Sequence, residues 1–418
     1  MSYRVWYSTE SFADYIIDHT NLSQGGRTVI KSALLQSDAS NADFHKMPDH
    51  IKKILYLDAP DVIVEFNNEP IFSIEESREA GTGHNAFQRF SRLVAAVENQ
   101  VPSFYIYPEA TIINRNSNNS TRWDQINPTV FQAMESVMDI YQIPSLLFYY
   151  PTDFRTHQTN PTASPNYSNN NKGTRQETRI RYAGCPLHTD SEMQDLFLIL
   201  NSIISDIETH GLQARNSLLT KRSISRRRNW MRAEYNRRHA GRTWSPLTAT
   251  IELDTDYLTN YLSQYNTSRY DINNSELLNS RATTVFYMID SLFRAQGDPY
   301  TGCLAAVDYI ECRQGKTFED RDKNLVLVWG QLQVDHTNRT IAINSTKCSI
   351  SEFTDKAEEG DKKSLLAKGY QNLRNDEIPR YYMHVRYGST YSKSKAIRIF
   401  SYFADAILFQ DGSLWRDA

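Results

Sequence analysis

The segment PDVIVEFNNEPIFSIEES, residues 60–77, decides the fold of this chain. Apolar and polar residues alternate on both sides of a polar turn at Asn67 and Asn68. A period of two is typical of a β-strand with one buried face, and asparagine is a common turn residue. The segment therefore predicts two short strands joined as a hairpin.

Three acids of this hairpin, Asp61, Glu65 and Glu75, are predicted to lie on one side of it. Carboxylates that converge from neighbouring strands repel one another, and a hard divalent cation is the usual way to hold them together. The pattern therefore favours a divalent-metal site, with Mg²⁺ as the expected ion.

Composition restricts the class of protein. The chain has 418 residues, 40% of them hydrophobic and 12% aromatic, which is enough for two or three domains with buried cores. Its longest apolar runs fall short of the roughly 20 residues that a membrane span needs. The N-terminus lacks the basic-then-apolar pattern of a signal sequence. We therefore expect a globular, cytoplasmic protein with no membrane partner.

Helices and strands alternate after the hairpin. The apolar spacing predicts a helix over 84–98, a strand over 101–109, a helix over 128–141 and a strand over 143–151. Strands connected by helices favour parallel pairing, with the helices packed on the faces of the sheet. The expected fold class is therefore α/β, a mixed sheet flanked by helices over residues 1–151.

The rest of the chain is expected to form two further regions. Residues 152–182 are rich in Asn, Thr, Ser and Pro, which predicts a polar linker or a basic loop that contacts DNA. Residues 183–418 are expected to form a mainly helical, partly β region. In this region helices are predicted at 191–210, 254–265 and 282–295, and strands at 323–343 and near the C-terminus. Within residues 1–151, further helices are predicted at 12–20, 30–35 and 50–55.

One element concentrates the positive charge. The stretch KRSISRRRNWMRAEYNRRHAGR, residues 221–242, holds nine cations and one acid in a chain whose net charge is -3. A helix with this composition favours contact with a polyanion such as DNA, and a solvated helix face is the alternative. The candidate DNA-binding residues here are Arg226, Arg227, Arg228, Arg232, Arg237 and Arg238.

The order strand, turn, strand, helix and strand over 60–108 resembles the PD-(D/E)XK nuclease superfamily, which includes most type II restriction endonucleases. Pro60-Asp61 stands at the PD position, and Glu75-Glu76-Ser77 stands at (D/E)-x-K. The resemblance implies a restriction-endonuclease-like mixed sheet. It also implies Mg²⁺ bound by Asp61 and Glu75, with the carbonyl of Glu76 completing the shell and Glu65 near a second ion.

The chain departs from the family pattern at its lysine, which Ser77 replaces. The resemblance implies that another residue takes that role, and the candidates are Glu76, Gln88, Arg89 and His84, although His84 also fits a helix cap. A shifted frame, which puts Arg78 at the lysine position, would place Glu76 on the apolar face of its strand. Arg89 and Arg92 are also candidates for DNA contact, or for the exposed side of their helix.

The resemblance implies a Mg²⁺-dependent, sequence-specific endonuclease acting on double-stranded DNA, of the type II restriction class. A homodimer and a cognate methyltransferase in the same system are expected with it. One alternative is a non-catalytic DNA-binding or regulatory protein that retains the nuclease fold. Others are a phage-defence or repair nuclease without restriction specificity, and an unrelated enzyme in which the acids are incidental.

Overall fold

The computed structural model describes residues 1–34, 46–55, 59–78, 83–115, 120–240, 250–264, 281–289, 323–329, 331–344, 406–408, 410 and 414–416. The chain divides into two compact units, Met1–Thr243 and Trp244–Ala418. The expected hairpin and its acids belong to the first unit.

Unit 1 contains eight strands and six α-helices among the residues described. The strands are β1 (Ser2–Tyr7), β2 (Thr28–Ala33), β3 (Val62–Phe66), β4 (Glu69–Glu76), β5 (Ser103–Pro108), β6 (Ala110–Arg115), β7 (Ser120–Gln125) and β8 (Ser145–Tyr150). The helices are α1 (Glu10–Asp18), α2 (Asp49–Leu55), α3 (Gly83–Glu98), α4 (Thr129–Tyr141), α5 (Ser191–His210) and α6 (Arg222–His239).

A six-stranded mixed sheet, in the order β2-β1-β3-β4-β5-β8, forms the centre of this unit. Strands β3 and β4 are the predicted hairpin, and β4, β5 and β8 run parallel. Asn67 and Asn68 form its turn with φ angles of 51° and 65°, the left-handed conformation that a two-residue hairpin loop requires. Helices α3 and α4 make the two parallel connections, as their apolar spacing predicted.

Helices lie on both faces of the sheet, which confirms the mixed α/β class. The Tyr3 hydroxyl on β1 donates to Glu208 of α5 at 2.6 Å. On the opposite face, Glu65 of β3 contacts His50 of α2. Arg89 of α3 reaches Glu75 of β4 on that same face. The two faces are named below after these acids and helices, as the α5 face and the Glu75 face.

The edge strand β8 is covered by side chains of α5 and α6. Its Leu147 carbonyl accepts from Arg227 Nε at 2.8 Å, and its Tyr149 amide donates to Glu192 Oε2 at 2.9 Å. The Leu147 amide also lies 3.5 Å from the sulfur of Met231. Unpaired backbone groups on an edge strand invite pairing with another chain, so these contacts close that edge.

The first unit continues well past the expected boundary at residue 151. Helices α5 and α6 pack on β8, so they belong to the same unit as the sheet and not to a separate region. Residues 152–182 form successive turns that are tied to the unit. Asp153 Oδ2 accepts from Ser164 Oγ at 2.7 Å and from the Asn166 amide at 3.2 Å, and Phe154 packs edge-on against Trp123 of β7.

The described part of unit 2 is mainly β-structure. Its strands are β9 (Thr250–Asp254), β10 (Thr283–Ile289), β11 (Lys323–Trp329), β12 (Gln331–Asp335), β13 (Thr340–Asn344), β14 (Ala406–Leu408) and β15 (Leu414–Arg416), and its helix is α7 (Asp256–Leu262). Five strands form a sheet in the order β15-β14-β11-β10-β9, and β12 and β13 form a separate hairpin.

Two predicted helices are wrong. Residues 28–33, TVIKSA, form β2 and pair in parallel with β1, and residues 283–289, TTVFYMI, form β10. Both segments are rich in the β-branched and aromatic residues that fit a pleated sheet. Pairing partners that are distant in sequence, β11 in the case of β10, supply the hydrogen bonds.

Candidate active site

Asp61 and Glu75 meet at one end of the β3–β4 hairpin. The Asp61 carboxylate accepts from the backbone amide of Glu76 at 2.8 Å through Oδ2, and from Ser8 Oγ at 2.9 Å through Oδ1. These two bonds hold Asp61 against the strand that carries Glu75. The structure therefore brings together the two acids that were expected to bind metal.

Glu75 is fully buried, with 0% of its surface exposed. Burial is the main reason that its pKa is raised to about 7. The Asp61 carboxylate also raises the pKa of Glu75, whereas Arg92 and Arg89 oppose the increase. A raised carboxyl pKa together with specific charged neighbours is a common property of functional sites.

Two arginines of α3 converge on one oxygen of Glu75. Arg92 Nη1 donates to Glu75 Oε1 at 2.7 Å, and Arg89 Nη1 makes a short contact with the same oxygen. Arg89 Nη1 also donates to the backbone carbonyl of Glu76 at 3.0 Å. Spacing of three residues puts both arginines on one side of the helix, facing the sheet. Their described contacts are therefore inside the site.

Tyr105 completes the group and was not predicted as a site residue. It pairs in register with Glu75 across β4 and β5, and it is fully buried. Its hydroxyl and Glu75 Oε2 are enclosed, and neither has a hydrogen-bond partner within the described ranges. Burial raises the pKa of Tyr105 well above its usual value, so the hydroxyl stays protonated and can donate.

The side chain of Glu76 lies on the α5 face, as the strand alternation requires. Its Oε1 is enclosed without a partner among the residues described, and burial raises its pKa to about 8, with Asp61 acting in the same direction. The pKa of Tyr15 is raised mainly by burial, and the charge of Glu76 contributes to the increase. The Glu76 carboxylate therefore lies on the opposite face of the sheet from the Glu75 carboxylate.

Glu65 lies on the Glu75 face but far along the strand. It is 2% exposed, and it accepts from Trp6 Nε1 at 2.7 Å and contacts His50 Nε2 at 3.0 Å. Asp61 lies four positions before it along the chain, a distance of about 13 Å in a β-strand. One ion cannot bridge these acids, and the neighbours of Glu65 account for its burial.

The two remaining catalytic candidates are placed differently. Ser77 is buried and continues the pairing of β4 with β5, because its amide donates to the Ile106 carbonyl at 2.9 Å. Gln88 belongs to α3, but its side chain lies outside the described residues. Arg89 is the candidate that contacts the motif, through Glu75 and the Glu76 carbonyl.

Asp61 and Glu75 fit only a minimal metal site. Within the residues that the structure describes, no three His, Cys, Asp or Glu side chains form a group that could hold a metal ion. Magnesium commonly uses one or two protein carboxylates and completes its shell with waters and substrate phosphate. Glu75 Oε2 has no partner in the described part of the chain, and a carboxylate oxygen is the kind of ligand that Mg²⁺ binds.

The basic helix α6 packs against the protein. Arg227 and Arg238 are 3% and 1% exposed, so these two do not lie on a surface that DNA could reach, contrary to the expectation. Arg226, Arg232 and Arg237 have exposed side chains. The six candidate arginines pair with acids as follows: Arg226 with Asp195, Arg227 with Glu192, Arg228 with Glu135 and Asp139, Arg232 with Glu135, Arg237 with Glu234 and Glu109, and Arg238 with Glu109.

Residues of α6 also stabilise the sheet through cation–π and aromatic contacts. The guanidinium of Arg227 lies 3.6 Å from the ring centroid of Trp230 and 4.2 Å from that of Phe148. Trp230 packs edge-on against Tyr149 at 5.0 Å. Cation–π contacts of a buried guanidinium stabilise packing. The cations of this helix therefore attach it to β8 and, through ion pairs, to α4 and α5.

None of the helices in the described ranges is both long and apolar enough to cross a membrane. No protein-family model matches this chain, and comparisons with curated proteins and with solved structures gave no match either.

Proposed function

We propose that this chain is a Mg²⁺-dependent endonuclease that hydrolyses phosphodiester bonds of double-stranded DNA, in the manner of a sequence-specific restriction enzyme. The observation that carries the proposal is the group at the end of the hairpin. Two carboxylates, Asp61 and Glu75, lie beside two guanidinium groups and a buried phenol, and two of the buried polar atoms lack partners in the described structure.

Asp61 and Glu75 would hold the ion, and Ser8 keeps Asp61 in place. Bound Mg²⁺ would polarise the phosphate and lower the pKa of a bound water. Arg89 and Arg92 are suited to binding phosphate oxygens, since guanidinium groups match them with two parallel hydrogen bonds. Tyr105 stays protonated and would donate a hydrogen bond to a phosphate or water oxygen in the same enclosed space.

DNA would be held beyond the site by exposed cations. On α6 these are Arg226, Arg232 and Arg237, whose own side chains are exposed. Arg226 and Arg232 pair with the half-buried acids Asp195 and Glu135 and can exchange them for phosphates, whereas Arg237 pairs with the buried acids Glu109 and Glu234. Phosphate contacts supply affinity without sequence information, so base-edge contacts from other residues would set the recognition sequence.

Cleavage of DNA tests the proposal. Purified protein is incubated with plasmid and phage DNA, modified and unmodified, in Mg²⁺ and in EDTA, beside a folded Asp61→Ala, Glu75→Ala double variant. Discrete fragments from the wild type in Mg²⁺ alone support a sequence-specific nuclease. A continuous smear supports a phage-defence or repair nuclease without restriction specificity. Intact DNA under every condition contradicts catalysis.

A second candidate is a non-catalytic DNA-binding or regulatory protein that retains the nuclease fold. Two observations favour it: Ser77 stands at the lysine position, and Arg89 and Arg92 neutralise Glu75. Binding of DNA in a gel shift, with no cleavage in Mg²⁺ or Mn²⁺, distinguishes this candidate from the first.

A further inference from the structure

Arg89 contacts the same atoms that a divalent ion would use. Its Nη1 bonds Glu75 Oε1 and donates to the Glu76 carbonyl at 3.0 Å. The carboxylate of the motif acid and the carbonyl of the next residue are the protein donors expected for the metal. A single guanidinium nitrogen therefore bridges two of the expected ligands.

The two arginines also shield Glu75 from solvent. The Glu75 side chain is 0% exposed, whereas those of Arg89 and Arg92 are 26% and 18% exposed. Both donate to Glu75 from the more exposed side, and an ion that approaches Glu75 Oε1 must take the place of a guanidinium nitrogen. Arg89 thus pairs with Glu75 and also hinders the approach of an ion to Glu75 Oε1.

Two guanidinium groups already interact with the acids of the site. Arg89 interacts electrostatically with Glu75 and Asp61, and Arg92 interacts with Glu75. Burial alone would lower the pKa of Arg89, but the Glu75 carboxylate outweighs this and leaves it raised, so the guanidinium stays charged. A divalent cation beside these two guanidinium groups is repelled by them unless a guanidinium moves away or a phosphate joins the site.

We infer that Arg89 competes with a divalent ion for Glu75 Oε1 and the Glu76 carbonyl, and that it must release these two atoms when the ion binds them. The inference rests on the proposed function, since it assumes that Asp61 and Glu75 are metal ligands. A phosphodiester offers the displaced guanidinium a new partner, so ion binding and substrate binding favour each other. Arg89 thereby acts as a positioning residue that limits ion binding in the absence of substrate.

Isothermal titration calorimetry with Mn²⁺, in the absence of DNA, measures this competition directly. The variants are Arg89→Ala, and Arg89→Gln in case the alanine variant does not fold, each checked by circular dichroism. Arg78→Ala is the matched control. Arg78 follows β4, its side chain is exposed, and its guanidinium lies against Gly184 near Glu76. The control removes the same charge without touching Glu75.

We expect the Arg89 variants to bind Mn²⁺ about tenfold more tightly than the wild type, because a unit charge within contact distance is removed. Arg78→Ala should stay within about twofold of the wild type, because its charge is exposed and screened. Adding Glu75→Gln to Arg89→Ala should abolish the gain.

Two results would overturn parts of the account separately. If Mn²⁺ binding depends on Glu75 but is equal or weaker in the folded Arg89 variants, the inference fails and the proposed function stands. If no variant, including Arg89→Ala, binds Mn²⁺ through Glu75, the metal-dependent function fails and the inference fails with it.

Discussion

Glu75 on β4 and Tyr105 on β5 are paired in register, and each has an enclosed polar atom without a hydrogen-bond partner in the described structure. A buried polar atom that lacks a partner costs about 1–3 kcal/mol. Such a cost at two adjacent residues is expected where a ligand, an ion or a water supplies the missing bonds. This pair therefore marks the centre of the candidate site.

Tyr105→Phe should separate function from stability. The substitution removes an unpaired hydroxyl and creates no new unpaired polar atom, so the free energy of unfolding should stay equal or rise by up to about 1 kcal/mol. Cleavage of DNA should fall roughly tenfold or more, because a donor in the site is lost. Urea denaturation and single-turnover cleavage measure the two effects.

Tyr15→Phe is the matched control for that change. The Tyr15 hydroxyl is also enclosed without a partner among the described residues, but Tyr15 belongs to α1 on the α5 face. We expect the same small effect on stability and no change in cleavage. Equal loss of cleavage in both variants would contradict a specific role for Tyr105.

The arginines of α6 should differ in what they stabilise. Arg227→Ala removes a buried guanidinium that bonds Glu192 and the Leu147 carbonyl. The free energy of unfolding should therefore fall by about 3 kcal/mol or more. Arg226→Ala acts on an exposed pair and should change stability by less than about 0.5 kcal/mol. Chemical denaturation of the two variants makes the comparison, and similar losses in both would contradict the assigned packing role.

The pH dependence of stability should carry a contribution from Glu208. Hydrogen bonds from Arg27 and Tyr3 hold the pKa of Glu208 below its usual 4.5 in the folded protein. The unfolded state then binds a proton first as the pH falls, so this contribution is complete above pH 4.5 and is lost as the pH drops through the folded pKa.

Glu208→Gln should therefore destabilise the protein by about 2 kcal/mol at pH 7, the contribution of a charged hydrogen bond. The difference from the wild type should shrink as the pH is lowered below 4.5. Denaturation of both proteins at a series of pH values tests this, and a difference that does not change with pH would contradict the linkage.

Local patterns predicted the elements around the site. The spacing of Phe90, Val94 and Val97 predicted α3, and all three are buried. Alternation along 60–77 predicted the hairpin and put Asp61 and Glu75 together. These features depend on periods of two and of three to four residues, which are visible in the sequence itself.

Features that depend on distant pairing were not predictable in the same way. Tyr105 became a site residue only through the register of β4 with β5, which no local pattern specifies. The arginines of α6 looked like an exposed basic helix because their acidic partners, such as Glu135 and Glu109, lie far away in sequence. Charge along a sequence cannot show which cations are already paired.

The central claim is that Asp61 and Glu75 form a divalent-metal site for phosphodiester cleavage. Its most direct test is the rate of Mg²⁺-dependent DNA cleavage by folded Glu75→Gln beside Glu65→Gln, a second buried acid of the same sheet face about 13 Å from Asp61. We predict that Glu75→Gln abolishes cleavage and that Glu65→Gln retains it. Cleavage that survives in Glu75→Gln, or that is lost only in Glu65→Gln, would contradict the account.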